Sequence, residues 1–160
     1  MRSERPIESL TIRWLADGED LAGALALRDR VFCEEQGVPR EEEIDGRDER
    51  ALHMVASTGA AGPVIATLRL FVDDGVAKIG RVAVERDWRR QGIALRMLEL
   101  AVVRATALGC GRARLAAQVD AAELYVKAGF AVESEPFQEA GIPHVWMGRS
   151  LAVAQGVADR

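Results

Sequence analysis

Apolar residues along this chain follow two spacings, the alternation typical of strands and the three-to-four-residue repeat typical of helices. The strand-like runs are rich in β-branched residues and are bounded by turn residues. They are Leu10–Leu15, Leu52–Ser57, Val64–Val72, Val76–Val84, Arg112–Gln118, Phe130–Phe137 and His144–Leu151. Between the third and fourth runs, Asp73-Asp74-Gly75 predicts a tight hairpin turn. The pattern therefore predicts about seven strands.

The first helical repeat follows the first predicted strand. Asp17 fits an N-cap, and apolar residues at helical spacing continue to about Glu35. Gly37 then fits a C-terminal cap, and Pro39 prevents continuation of the helix. The charged segment Arg40–Arg50 is predicted to be a loop. The residues expected on the buried side of this helix are Leu21, Leu25, Val31 and Phe32.

A second helical repeat begins after Gly92 and ends at Gly109, and a short third helix is predicted over Ala121–Ala128. The apolar residues at helical spacing in the second repeat are Leu95, Leu98, Val102, Ala105 and Leu108. The resulting order is strand, helix, a run of hairpin-connected strands, helix, strand, helix and closing strands. Hairpins followed by a crossover helix predict a mixed α/β sheet flanked by helices.

Length, charge and cysteine spacing narrow the class of protein. A chain of 160 residues favours a single domain over residues 1–160, with its core over about residues 9–151. The net charge of -4 and the pI near 5.3 argue against a nucleic-acid-binding surface. No apolar run is long enough to span a membrane, and residues 1–6 lack the apolar core of a signal peptide. Cys33 and Cys110 lie far apart, without a CxxC motif or a nearby histidine pair, which predicts reduced thiols in a cytoplasmic protein and no metal site.

One strand–loop–helix junction carries candidate anion-binding chemistry. The strand end Val82–Val84 is followed by a polar loop that opens the second helix, and this loop includes Arg89-Arg90-Gln91-Gly92-Ile93-Ala94. Backbone N–H groups and the positive end of a helix converge at such a junction and bind phosphates. Gly92 lacks the Cβ atom that would hold a diphosphate away from the amides. The loop matches neither a Walker loop nor the Gly-x-Gly-x-x-Gly dinucleotide turn.

The loop resembles the acetyl-CoA pyrophosphate loop of the GNAT superfamily of N-acetyltransferases, which has the pattern Arg/Gln-x-x-Gly-x-Gly/Ala. Leu124–Phe130 resembles a second signature of that superfamily, a helix that ends in Tyr-x-x-x-Gly-Phe. Val31–Pro39, followed by Glu43 and Asp45, is similar to the Val-Phe-x-x-Glu-Gln-x-Val-Pro signature of one bacterial branch, and so is Glu139–His144.

The resemblance implies a GNAT acyl-CoA N-acyltransferase fold and an enzyme that uses acetyl-CoA and no metal. The acetyl group would pass directly from the thioester to a primary amine of a small molecule or peptide. Cofactor pantetheine would lie along Arg81–Val84, where this strand splays from the fifth strand and Gly80 is expected to mark a bulge. The implied cofactor contacts are Val82, Ala83, Val84, Arg89, Arg90, Gln91, Gly92, Ile93, Ala94, Gln118 and Tyr125.

Candidate acid and base residues follow from the same resemblance. Tyr125, the only tyrosine of the chain, occupies the position where the superfamily often has its general acid, and packing against the cofactor is the alternative role. His144 and Glu34 are the candidate bases, and Glu35 and Asp45 lie in the same acceptor-side segment as Glu34 and are further candidates. Deprotonation of the ammonium through water is the alternative. His53 opens a strand and is expected to be structural.

The segments expected to frame the acceptor carry an excess of carboxylates, which favours a cationic amine over nucleic acid or membrane lipid. These carboxylates belong to Glu34, Glu35, Glu41, Glu42, Glu43, Asp45 and Glu139, against the basic residue Arg40. Alternatively, the charges only solvate loops. An acyl-CoA-binding sensor without turnover is the alternative function, whereas the hairpins and the missing glycine fingerprint disfavour a Rossmann-like nucleotide domain. A homodimer is left open.

Overall fold

The computed structural model of the chain describes residues 9–152. Over these residues the backbone forms eight strands and four α-helices, which confirms the predicted mixed α/β class. The strands are β1 (Thr11–Trp14), β2 (Leu52–Ser57), β3 (Val64–Asp73), β4 (Val76–Val84), β5 (Arg112–Gln118), β6 (Ala131–Val132), β7 (Phe137–Glu139) and β8 (Ile142–Ser150). The helices are α1 (Ala22–Arg28), α2 (Arg40–Glu43), α3 (Ile93–Ala107) and α4 (Ala122–Lys127).

The strands follow the order β1-β2-β3-β4-β5-β8-β6, and β7 pairs with β8 outside this path. β1 and β2 are antiparallel, as are β5 and β8, whereas β4 and β5 are parallel. The parallel pair follows from α3, because a crossover helix lets the next strand run in the same direction as the last. This is the succession of hairpins and crossover that the apolar pattern predicts.

Contacts within the chain divide it into two compact units. Of the described residues, the first unit holds residues 9–69 together with Arg81–Ala94, and the second holds Leu70–Gly80 with residues 95–152. The first unit has a buried apolar cluster that joins α1 and the segment after it to the end of β4. Its members are Leu27, Val31 and Ala83, with Phe32 and Val64 packed against them.

The first helix starts later than predicted and changes its winding. It begins at Ala22 with Leu21 at the N-cap position, so the prediction of Asp17 as the N-cap is wrong. The N–H of Ala22 donates to the Asp20 carboxylate at 2.9 Å, two residues earlier. After Arg28 the chain continues as a π-helical segment over Asp29–Glu35. Gly37 ends this segment as predicted, since it has a φ of 74° and its N–H donates to the carbonyl of Cys33.

The charged segment after this helix is not the predicted loop. It forms α2 and a single 3₁₀ turn over Asp48–Arg50. Pro39 precedes α2 with a φ of -59°, the angle that its ring imposes, and the acidic residues of the first turn complement the positive helix end. Glu43 is only 3% exposed, so its carboxylate does not simply solvate a loop.

In the second unit, the predicted hairpin and the predicted β5 are confirmed. Asp74 and Gly75 both have positive φ, as a two-residue type I′ turn requires. The single strand predicted over Phe130–Phe137 is wrong, because it divides into β6 and β7. Between them, the hydroxyl of Ser134 accepts the N–H of Trp146 at 2.9 Å, so a side chain replaces the backbone ladder there.

The second predicted helix, α3, ends where the sequence indicates, just before Gly109 with its φ of 86°. Leu108 was expected on the buried side but is 46% exposed, because it lies beyond the last turn of the helix. The fully buried side chains of α3 are Ile93, Met97, Leu98, Ala101 and Ala105. The tail Ala152–Arg160 is predicted from the sequence to be frayed, and from residue 153 onward it lies outside the described residues.

Candidate active site

The loop between β4 and α3 has the backbone conformation of an anion-binding turn. β4 ends at Val84, a 3₁₀ turn covers Arg86–Trp88, and α3 begins at Ile93. Arg90 and Gly92 have left-handed φ angles of 62° and 82°. Left-handed residues within a turn direct successive N–H groups into one concavity, which suits a phosphate.

The side chain of Arg89 fixes this loop to its surroundings. Its Nε donates to the carbonyl oxygen of Val84 at 2.8 Å, and its Nη2 donates to Glu35 at 2.8 Å. Nearby, Arg30 donates to Glu85 at 2.8 Å. The sequence predicts Arg89 as a cofactor contact, and the structure gives its guanidinium the role of joining the loop to the π-helical segment and the end of β4.

The end of β4 carries a left-handed residue one position after the glycine expected to mark a bulge. Arg81 has a φ of 49°, whereas a Cβ atom added to Gly80 would meet nothing within 4 Å. Beyond this point Ala83 is 3% exposed and packs into the apolar cluster. The N–H of Glu85 donates to the carbonyl of Ile65 at 2.8 Å, which holds the strand end in place.

A buried ion-pair network lies beside β4 in the first unit. Oε1 of Glu43 accepts hydrogen bonds from Nε of both Arg28 and Arg81, at 2.8 and 2.9 Å. Asp48 accepts hydrogen bonds from Arg28 at 2.7 Å and from Arg69 at 2.9 Å. Since buried charges are tolerated only when compensated, this alternation of guanidinium and carboxylate groups is what allows their burial.

Asp45 completes this network and was predicted as part of an acidic acceptor mouth. Its carboxylate accepts hydrogen bonds from Arg69 and Arg81. The hydrogen bond from Arg69 holds the pKa of Asp45 well below its usual range. Likewise Glu35 is paired with Arg89, and Arg40 with Asp29. From the sequence, Arg40 is the basic residue of this region. Arg81 and Arg89, which pair with Asp45 and Glu35, come from distant positions in the chain and were not expected there.

The arginines of the network were not identified as site residues from the sequence. For Arg69, the sequence contained a usable indication: it is a charged residue between the apolar residues Leu68 and Leu70, in the middle of a predicted strand. Both neighbours are buried in the structure. A charge inside such a run indicates a buried ion pair. His53 is 5% exposed and its Nε2 lies 2.8 Å from the carbonyl oxygen of Asp48, which agrees with the predicted structural role.

In the second unit, Tyr125 lies on α4 and is 8% exposed. Burial raises its pKa to about 12 from an ordinary value near 10, so the phenol is protonated at neutral pH and holds its proton more tightly than an exposed tyrosine does. The carbonyl of Tyr125 accepts the N–H groups of Ala128 and Phe130 at the helix end. Gly129 has a φ of 91°, and a Cβ atom there would lie 2.8 Å from Nη1 of Arg149. The Tyr-x-x-x-Gly-Phe segment therefore requires glycine at this position.

His144 and Gln118 are direct partners in the antiparallel pairing of β8 with β5. His144 is 7% exposed, and its Nδ1 lies 2.7 Å from the carbonyl oxygen of Ile142. Its ring stacks on Phe137 with 6.0 Å between centroids, and Nε2 lies 3.9 Å from Glu139. The predicted site residues are thus divided between the two units: Glu34 and Val82–Ala94 belong to the first, and Gln118, Tyr125 and His144 belong to the second.

The cysteines and the remaining acidic groups add no further chemistry. Burial, together with the hydrogen bond to Asp29, raises the pKa of the Cys33 thiol, and burial raises that of Cys110, which disfavours a reactive thiolate. Within residues 9–152, no group of three or more histidine, cysteine and acidic side chains could hold a metal ion. No helix in the same range is long and apolar enough to cross a membrane.

The family model described as Acetyltransferase (GNAT) domain matches residues 20–151 of this chain. The chain belongs to the GNAT family of acetyltransferases. Membership confirms the GNAT acyl-CoA N-acyltransferase fold that the resemblance implies.

Relatives and solved structures of GNAT proteins cover most of the chain. The Bacillus subtilis (strain 168) protein named Uncharacterized N-acetyltransferase YjcF is 37% identical over 130 residues, which are 81% of this chain and 91% of that protein. An acyl-CoA N-acyltransferase from Pseudomonas aeruginosa has 31% identity and a TM-score of 0.78, covering 88% of this chain and 99% of that chain. A GNAT family acetyltransferase from Elizabethkingia anophelis, solved with acetyl-CoA bound, shares the fold at 18% identity, with a TM-score of 0.68 and coverage of 90% and 99%.

Proposed function

We propose that this GNAT protein transfers the acetyl group of acetyl-CoA to a primary amine of a small molecule or peptide. The observation that carries the proposal is the loop at residues 89–94, whose left-handed Arg90 and Gly92 precede the first turn of α3. In a GNAT chain, a concave turn at the positive end of a helix supports binding of the cofactor pyrophosphate.

Backbone groups supply most of the proposed cofactor contacts. The N–H groups from Arg90 to Ala94 bind the pyrophosphate, beside Arg89, whose own N–H donates to the carbonyl of Arg86 at 3.3 Å. The N–H groups of Val82 and Val84 bind the pantetheine and the thioester carbonyl. Charge-assisted hydrogen bonds of this kind contribute roughly 1.5–3 kcal/mol each. Gln118 adds a side-chain amide from the end of β5. The cofactor is a cosubstrate, and the proposed reaction uses no metal.

The transfer needs a base for the ammonium and an acid for the leaving thiolate. We assign the base to Nε2 of His144 and the acid to the phenol of Tyr125, which is protonated at neutral pH. The amine nitrogen attacks the thioester carbon, the new C–N bond replaces the C–S bond, and the phenol proton passes to the sulfur. Glu34 is the alternative base, since its carboxylate lies on the exposed side of the π-helical segment.

The proposed acceptor is a cation, because exposed carboxylates remain near the segments that the resemblance assigns to the acceptor. Glu41 and Glu42 are exposed on α2, and the side chain of Glu139 is 53% exposed. Such groups raise the local concentration of an amine and repel phosphates, which argues against nucleic acid and anionic lipid as partners. The isolated thiols fit a cytoplasmic setting. A homodimer is compatible with the proposal but not required by it.

The deciding experiment follows release of free CoA thiol when the protein is mixed with acetyl-CoA and a panel of amines. The panel holds polyamines, amino acids, aminoglycosides and lysine peptides, with neutral alcohols and anionic sugars as controls. We expect acetylated amine, identified by mass spectrometry, in step with thiol release. Acetyl-CoA binding without turnover on any member of the panel would favour an acyl-CoA sensor over an enzyme. Activity confined to anionic acceptors would contradict the proposed acceptor class.

A further inference from the structure

The left-handed residue within β4 is an arginine, which is an unusual choice for that conformation. Arg81 has a φ of 49°, in a region that residues with a Cβ atom rarely adopt. A residue in such a conformation stays there only when the surrounding structure holds it. The contacts of Arg81 therefore decide whether this turn in the strand is fixed or loose.

The guanidinium of Arg81 is held at several points by the end of α2. Nε donates to Oε1 of Glu43 at 2.9 Å, and Nη2 donates to the carbonyl oxygen of Glu43 at 2.9 Å. Nη2 also contacts the carbonyl oxygen of Glu42 at 3.3 Å and the carboxylate of Asp45 at 3.4 Å. One planar side chain thus binds both the backbone and the carboxylates of this segment, which fixes its orientation.

Glu43 can serve as an anchor because it is itself immobilised. Its side chain is 3% exposed, and the oxygen that accepts from Arg81 also accepts from Nε of Arg28 at 2.8 Å. Arg28 is 1% exposed and donates to Asp48 at 2.7 Å. The contact therefore connects the turn in β4 to the buried end of α1.

We propose that Arg81 is a positioning residue for the acyl donor. Its anchored side chain fixes the left-handed turn, and the turn sets the direction of the N–H groups of Val82 and Val84. The inference rests on the proposed function, in which pantetheine and thioester lie along this strand. The other end of the segment is fixed by the bond from Glu85 to Ile65, so the donor-binding backbone is held at both ends before any ligand arrives.

The test compares Arg81→Gly with the wild-type protein. Glycine adopts the left-handed conformation without strain, so this variant keeps the turn accessible and removes only the anchor. Without cofactor, we expect amide hydrogen exchange over residues 81–85 to become faster by roughly tenfold or more, since local opening is no longer opposed. With cofactor, we expect the Kd and KM for acetyl-CoA to rise roughly tenfold to hundredfold, with a smaller change in kcat.

Lys78→Gly is the matched control, because it places glycine on the same strand and removes an exposed lysine that pairs with Asp73 at 3.2 Å. It should leave exchange at residues 81–85 and the Kd for acetyl-CoA unchanged. Unchanged exchange in Arg81→Gly, or equal effects in both variants, would overturn the proposal. So would faster exchange spread over α1 and α2 at an unchanged Kd, which would make Arg81 merely structural.

Two further outcomes are separated by the same design. If Arg81→Gly does not fold, Arg81→Lys, which keeps the charge and loses the planar fork, decides by the same measurements. If wild-type protein does not bind acetyl-CoA, the proposed function fails. The exchange comparison made without cofactor then decides alone whether Arg81 fixes the strand.

Discussion

Nδ1 of His144 lies 2.7 Å from the carbonyl oxygen of Ile142, two residues earlier on β8. A carbonyl oxygen only accepts hydrogen bonds, so Nδ1 carries the hydrogen of the neutral ring and Nε2 presents its lone pair. Glu139 lies 3.9 Å from Nε2 and can stabilise the ring once it is protonated. The backbone of β8 therefore selects the tautomer that a general base acting through Nε2 requires.

We predict that His144→Gln lowers kcat by roughly 10²-fold, the usual effect of removing an acid–base group. Glutamine keeps a polar side chain of similar reach but has no basic nitrogen, so the KM for acetyl-CoA should change little. Steady-state kinetics with a cognate amine measures both constants. Glu34→Gln is the comparison variant, and a loss of kcat confined to it would move the base to the π-helical segment.

We predict that Tyr125→Phe lowers the rate of the chemical step by about 10²-fold or more while the Kd for acetyl-CoA stays nearly unchanged. Phenylalanine preserves the packing of a buried ring and removes only the proton that the thiolate needs. Single-turnover kinetics, with calorimetry for the affinity, separates the two effects. Unchanged turnover would limit Tyr125 to packing.

The sequence predicted the parts of the fold that depend on local signals. β4 and β5 have the predicted bounds, because each is an apolar run between strong turn residues. The loop at residues 89–94 was equally visible, since glycine and arginine mark it directly. The strand predicted after Phe130 is too long. It is interrupted where the N–H of Trp146 on β8 donates to the Ser134 hydroxyl in place of a backbone carbonyl, and a partner on another strand is not visible in the local sequence.

The ion-pair network lay beyond sequence reasoning for a different reason. Glu43, for example, is separated in sequence by 15 positions from Arg28 and by 38 positions from Arg81, the two residues that donate to its carboxylate. No local sequence pattern connects residues so far apart. From the sequence, Glu43 and Asp45 therefore appeared as exposed charges of an acidic loop. The left-handed turn at Arg81 was equally hidden, since glycine next to it was the expected site of any bulge.

We predict that Gly92→Val abolishes acetyl-CoA binding without unfolding the protein. Gly92 has a φ of 82°, and a branched side chain both disfavours this conformation and blocks the approach of a diphosphate to the N–H groups. Isothermal calorimetry measures the affinity and circular dichroism the fold. Gly109→Val, at a φ of 86° after α3, is the matched control and should bind normally. Equal affinity in wild type and Gly92→Val would remove the loop from the cofactor site.

We predict that Gly129→Ala lowers the free energy of unfolding by roughly 1–3 kcal/mol. Gly129 has a φ of 91°, and an added Cβ atom would lie 2.8 Å from Nη1 of Arg149, which donates to the carbonyl of Ala128. Urea denaturation provides the measurement. Gly141→Ala has a comparable φ of 75° but open space around the Cβ atom, so it should cost less. Equal losses in both variants would show that the contact with Arg149 adds nothing.

The last prediction concerns the titration of Tyr125, whose pKa burial raises to about 12 from an ordinary value near 10. Because the folded pKa lies above the unfolded one, the neutral phenol favours folding. Its contribution is complete below about pH 10 and is lost as the pH rises toward 12, at roughly 1.4 kcal/mol per unit.

Since Tyr125 is the only tyrosine, the ultraviolet absorbance of tyrosinate reports this group alone. We expect tyrosinate to form near pH 12 in the folded protein and near pH 10 in urea. The free energy of unfolding in urea is measured for wild type and Tyr125→Phe at about pH 8 and about pH 11. Subtracting the values of the variant from those of wild type cancels the contributions of the other titrating groups. Wild type should lose more stability than the variant between these two pH values, because at about pH 11 its phenol ionises in the unfolded chain and stays largely neutral in the folded protein. Titration near pH 10 in the folded protein would show that the phenol is solvated and would contradict the burial on which this prediction rests.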